Sequence, residues 1–178
     1  MDKIFWLYYK ISGYFKAKIK RRIQYKYWQW KAGYECQSYG SFSVNGPTKL
    51  NKNTVLGNNV NFNGCKVYGS GNVNIGDNFH SGKNCMLITS FHNYEGTAIP
   101  YDNEVLHKDI LIEDNVWLGN NVIILGGTKI GEGSIIQAGS VVVKEIPKFS
   151  IAGGHPAGVF SFRNKEHYLK LKAEGKFH

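Results

Sequence analysis

At 178 residues and 20.1 kDa, the chain has room for one hydrophobic core with flanking pieces and no second domain. Three cysteines, Cys36, Cys65 and Cys85, are odd in number and lack metal-ligand spacing, which argues against a disulfide framework or a zinc site and makes a reducing cytoplasm the expected compartment. The formal charge of +9 is concentrated between Met1 and Lys31, where nine Lys or Arg face only Asp2, and no recognised nucleic-acid-binding module accompanies it.

That first segment also holds ten of the 25 aromatic residues, and Ile4, Tyr8, Ile11, Phe15 and Ile19 fall at helical spacing, so a basic amphipathic helix is expected. Two uses suit it: a foot on an anionic membrane surface, with aromatics including Trp6, Tyr8, Tyr9, Trp28 and Trp30 inserted, or a cap over unpaired strand edges of the domain that follows. Ile4 to Ile11 is too short and too interrupted by Tyr and Lys to span a bilayer, and it lacks the small-residue cleavage site of a signal peptide. Gly33 to Pro47 reads as an irregular connection, which places residues 1–49 outside the main domain.

From Leu50 the chain falls into repeats. Leu56-Gly57-Asn58-Asn59-Val60 and Ile75-Gly76-Asp77-Asn78-Phe79 are imperfect copies, and Ser81 and Leu87 continue the beat. Between His92 and Asp109 no pattern holds, which predicts a loop over 93–109 that leaves the regular structure and returns as an active-site arm. A strict six-residue beat then runs through Ile112, Leu118, Ile124, Ile130, Ile136 and Val142, with small or β-branched Val116, Val122, Thr128, Ser134 and Ser140 four residues after successive beats. Neither a helix nor a half-buried strand requires an aliphatic at every sixth position. Hexapeptide repeats predict flat strands joined by tight corners, three to a turn, stacked into a prism with the aliphatics inside. The all-β prism is expected over 50–160, and a short C-terminal helix over 161–178.

Among six histidines, His92 stands where the chain leaves the prism, a place where a rigid strand would hold an imidazole facing a groove, as a general base requires. A zinc site is disfavoured because His80 and His92 lie two faces of a triangular coil apart. Cys85 falls at an inward position and is expected to pack rather than react.

Trp117-Leu118-Gly119-Asn120-Asn121-Val122-Ile123-Ile124, Ala138-Gly139-Ser140-Val141-Val142-Val143-Lys144-Glu145-Ile146-Pro147 and Gly154-His155-Pro156-Ala157 resemble the hexapeptide-repeat acyltransferases. With Asn61-Phe62-Asn63, Ile75-Gly76-Asp77-Asn78 and His92, the likeness is to the sugar O-acetyltransferase branch, which includes maltose and galactoside acetyltransferases. The resemblance implies a left-handed parallel β-helix, a C3 homotrimer with active sites between subunits, and acetyl-CoA as cosubstrate without a metal. By position, His92 matches the catalytic base of direct acetyl transfer to a sugar hydroxyl. Asn61 matches a residue beside the acceptor, and Trp117 one that packs against the thioester end of the cosubstrate. Asn120, Ala138, Val143 and Lys144 match contacts to pantetheine or phosphate. The family's Gly-Asn-Pro-Ala-Lys ending is here Gly154-His155-Pro156-Ala157-Gly158, and Ser161 replaces a common arginine, so Arg163 or Lys165 is expected to supply the missing phosphate-binding charge. Surface-polysaccharide synthesis is the expected setting. N-acetylation of a nucleotide-linked amino sugar and a non-catalytic assembly module are the competing readings.

Overall fold

The computed structural model describes residues 2–178, with side chains for Lys10 and for residues 13–178. Ile4, Trp6, Tyr8, Tyr9 and Ile11, invoked above, therefore lie outside the described side chains. The chain forms a left-handed parallel β-helix flanked by an N-terminal helix α1 (Asp2–Glu35) and a C-terminal helix α2 (Lys165–Ala173). Three parallel sheets make the prism faces. The first stacks Gln37–Ser38, Thr54–Leu56, Val73–Ile75, Ile110–Ile112 and Lys129–Ile130. The second stacks Phe42–Val44, Val60–Phe62, His80–Ser81, Trp117–Leu118, Ile135–Ile136 and Ser150–Gly154, and the third Cys65–Tyr68, Cys85–Ile88, Ile123–Leu125 and Val141–Val142.

The six-residue beat works as a column. Ile75 pairs with Ile112 and Ile112 with Ile130, Ser81 with Leu118 and Leu118 with Ile136, Leu87 with Ile124 and Ile124 with Val142. These side chains are buried, each above its equivalent at the roughly 4.8 Å spacing of neighbouring strands. Outward neighbours alternate with them. Corners need left-handed backbone, which asparagine tolerates better than other non-glycine residues. Asn59, Asn78 and Asn115 occupy one corner with φ of 55°, 54° and 59°, and their amides form a ladder. Asn59 Nδ2 donates to Asn78 Oδ1 (2.9 Å) and Asn78 Nδ2 to Asn115 Oδ1 (3.0 Å). Asn115 Nδ2 in turn donates to the Tyr168 hydroxyl of α2 (2.8 Å). A ladder of this kind satisfies polar groups that the turn would otherwise leave unpaired.

Three expectations need correction. The prism begins at Gln37, not Leu50: Gln37–Ser38 and Phe42–Val44 already pair in parallel with the next coil. Their short strands carry few inward aliphatics, so the beat is silent there. The segment 93–109 is not patternless in structure, because Ser90–His92 and Val105–His107 pair antiparallel as a hairpin arm. At the other end, Ala157–Phe162 folds back antiparallel on Ser150–Gly154, so Ser161 is strand and α2 starts only at Lys165, capped by Asn164 accepting from the His167 N–H.

The end of α1 closes the open edge of the first coil. Ala32 is fully buried and Trp28 packs against the core. Gln29 imitates a missing strand: its Nε2 donates to Phe42 O (2.9 Å) and its Oε1 accepts from Val44 N–H (2.7 Å). Glu35 accepts from Leu50 N–H. Of the two uses expected for the basic helix, the cap belongs to the segment from Trp28 to Glu35.

Candidate active site

Outward residues of the second face form a polar ladder. The register aligns Ser43, Asn61, His80, Trp117 and Ile135 one above another. Asn61 Oδ1 accepts from the Ser43 hydroxyl, and Asn61 Nδ2 lies 3.1 Å from His80 Nε2. Trp117 is 54 % exposed. Beside it runs a groove of about 400 Å³ lined by Asn78, His80, Asn115, Val116, Trp117 and His178. The His178 ring stacks on His80 at 5.3 Å, and its carbonyl accepts from Asn59. Burial pushes the His80 imidazole below its ordinary value, which favours the neutral ring.

His92 lies elsewhere, on the arm at the corner between the third and first faces. Its strand pairs with Val105–His107, Val105 directly opposite His92. The ring is exposed and stacks on Tyr101 at 3.9 Å with 13° between planes. Its nitrogens have no hydrogen-bond partner among the described residues, so both are free to meet a ligand. At the base of the same arm, Ser90 Oγ lies 2.6 Å from His107 Nδ1 and also accepts from Ser70 N–H. Lys108 N–H donates to Thr89 O (2.8 Å), closing the arm where it re-enters the prism.

The remaining residues singled out from the sequence divide among three corners. Asn120 and Ala138 stack at the corner between the second and third faces, where Asn120 Oδ1 accepts from Lys83 N–H and Asn120 O from Gly139 N–H. A Cβ on Gly119 would lie 2.6 Å from the Ala138 nitrogen, which is why glycine stands there. Val143 and Lys144 follow the last strand of the third face, exposed, at the corner that also bears the arm, and Lys144 has no ion-pair partner among the described residues. Arg163 occupies the third corner, where its guanidinium donates to Gly133 O (3.3 Å) and lies over the Tyr168 ring, while Lys165 lies over Phe149. Both cations expected to replace the family's phosphate contacts are thus engaged in holding α2.

One prism therefore brings Asn61 and Trp117 onto a common face and places Asn120 with Ala138, yet holds His92 at a corner away from both. His80 was missed as part of this constellation. It becomes visible only when the strand register is known, since 19 residues separate it from Asn61 and the arm separates it from Trp117.

A parallel β-helix of six-residue repeats, three to a coil, with outward polar ladders defines the class of protein. Residues 109–144 match the family model described as bacterial transferase hexapeptide (six repeats). A maltose O-acetyltransferase structure from Clostridium difficile 630 is 31% identical, covering 72% of this chain and 70% of that one with a TM-score of 0.63. A galactoside acetyltransferase structure in complex with coenzyme A is 29% identical, covering 74% and 66% with a TM-score of 0.61. Galactoside O-acetyltransferase of Escherichia coli (strain K12) is 37% identical over 101 residues, 55% of this chain and 49% of that protein. The chain belongs to the hexapeptide-repeat transferase family, and it is similar to sugar O-acetyltransferases within it. The aligned regions span between 41% and 60% of the lengths of the curated relatives it matches.

Proposed function

We propose that this chain is an acetyl-CoA-dependent acyltransferase that moves an acetyl group to a sugar hydroxyl in making a surface glycan. The carrying observation is His92: an exposed imidazole whose nitrogens have no partner among the described residues, held off the prism by a paired arm in a chain similar to a maltose O-acetyltransferase. A free imidazole ring nitrogen takes the acceptor's hydroxyl proton as the oxygen attacks the thioester carbonyl. A C–O bond forms, the C–S bond breaks, and the proton leaves on the thiol sulfur. No acyl-enzyme is needed, because acceptor and donor are held together.

The residues present fit such a donor. Exposed Trp117 and Val143 offer apolar surface to a pantetheine chain, and the unpaired Lys144 ammonium suits phosphate. Because His92 and Trp117 sit on different parts of one prism, a complete site forms only where two copies meet, and a closed C3 ring of three supplies three such sites. Asn61 then lies on the acceptor side, with His80 beside it, and Asn120 and Ala138 border the donor groove.

Thiol release from acetyl-CoA with a panel of mono- and oligosaccharides and nucleotide-linked amino sugars tests this reading. Turnover on hydroxyl acceptors that His92→Ala abolishes is expected. Turnover confined to amino acceptors would move the assignment to N-acetylation, and neither turnover nor acetyl-CoA binding would leave a non-catalytic prism.

A further inference from the structure

Only the last part of α1 is needed as a cap. At about 100° per residue, Trp28 and Ala32 point to the prism, whereas Phe15, Ile19 and Ile23 fall on the opposite side and Trp30 stands at the margin, lining grooves with Leu50 and with Ser43 of the first coils. Phe15, Ile19, Ile23 and Trp30 are 58 %, 56 %, 62 % and 67 % exposed, and Tyr27 and Tyr34 widen the stripe. A continuous apolar stripe of this size on a surface marks an unmet partner. It does not belong to the core, and it does not belong to the ladder or arm of the site described above.

Charge identifies the partner. Lys16, Lys20, Arg22 and Lys26 border the stripe, all exposed, and none has a carboxylate partner among the described residues. Before Glu35 the helix carries a single acid, Asp2. Packing this face against the same face of a second copy would bring two strongly positive helices within the screening length of about 8–10 Å, with no acidic residue between them. An anionic surface has the complementary charge. Among the described residues no helix is long and apolar enough to cross a membrane.

We propose that the free face of α1 lies flat on an anionic lipid bilayer, with Phe15, Ile19, Ile23 and Trp30 at the boundary of headgroups and acyl chains and the flanking lysines and Arg22 against lipid phosphates and carboxylates. The capping contacts of Gln29, Ala32 and Glu35 fix the opposite side of the same helix to the first coil, so the bilayer lies against the N-terminal end of the prism. The lipid contact stands whether or not the acetyl-transfer reading holds.

Vesicle sedimentation of the full chain tests it, comparing phosphatidylcholine with phosphatidylcholine containing phosphatidylserine at low and high salt, alongside light scattering for the mass in solution. Binding is expected only to the phosphatidylserine vesicles and is expected to weaken at high salt. The double variant Ile19→Asp/Ile23→Asp, and separately Lys16→Glu/Lys20→Glu, should each lower partitioning at least about tenfold with helicity and mass unchanged. Equal binding to both vesicle types, or no binding to either, overturns the proposal. A change in mass with the Asp variant, without a loss of partitioning, would assign the stripe to a second copy.

Discussion

His92, the base in the reaction proposed above, has few structural obligations among the described residues. Its ring touches Tyr101 and accepts no bond from the described residues, so His92→Ala is expected to lower kcat by roughly 10²–10⁴ while the melting temperature stays within error, measured by thiol release and thermal denaturation of the same preparation. Tyr168 is the reverse case. Its hydroxyl accepts from Asn115 and donates to Glu132 (3.0 Å), and burial with the nearby carboxylate raises its pKa well above the usual phenol value. Tyr168→Phe leaves the Asn115 amide without this acceptor and takes one bond from Glu132, which keeps Lys172, and is expected to cost about 1–2 kcal/mol, a fall in Tm of roughly 2–8 °C. The place of His92 at the root of the arm was legible because the imperfect repeats through Ile75, Ser81 and Leu87 stop beside it. His80 was not, because its neighbours Asn61 and Trp117 belong to other coils, and no short-range pattern reports which residues register laterally.

At the scale of elements, each helix is attached by polar contacts that titrate or cap. Burial raises the Glu132 carboxyl, but the bonds from Lys172 and Tyr168 and the charges of Lys172 and Lys148 outweigh it and hold its pKa below the ordinary 4.5. A lowered carboxylate pKa stabilises the fold above the ordinary value and ceases to do so as pH falls through the folded one. Lys172→Met should therefore destabilise the protein by a few tenths to about 1 kcal/mol at neutral pH, with the difference from the parent vanishing in acid below that value, as read by urea unfolding across pH. At the other end, Gln29→Ala leaves Phe42 O and Val44 N–H at an open strand edge and is expected to cost about 1–3 kcal/mol and to promote association of edges. The repeat pattern reported the middle coils faithfully because inward aliphatics there are large and regularly spaced. It was blind to the first coil, where exposed Gln37 and Ser38 leave Val44 as the buried aliphatic. It was also blind to the hairpin in the arm, whose strands are held by each other and bury little.

For the whole molecule, the proposed division of the site between copies makes a distinctive demand. Light scattering should give a mass roughly three times the 20.1 kDa chain. Inactive His92→Ala and Trp117→Ala chains, mixed equally and reassembled, should recover about a quarter of the sites, those where each variant contributes its intact residue to the same interface. Recovery near zero after verified subunit exchange would mean that both residues act within one chain.

The arm departs and returns at a corner, closed by the bond between Lys108 and Thr89, and the coils on either side keep register across it. Hydrogen bonds between those coils span 37 residues where ordinary neighbours span 18 or 19, with no change in how the strands meet. A corner in this architecture is thus a splice point. Loops of new length and composition can be grafted there over evolutionary time, altering what the chain accepts without renegotiating the scaffold, and the same corner is where an engineer would insert a loop to redirect it.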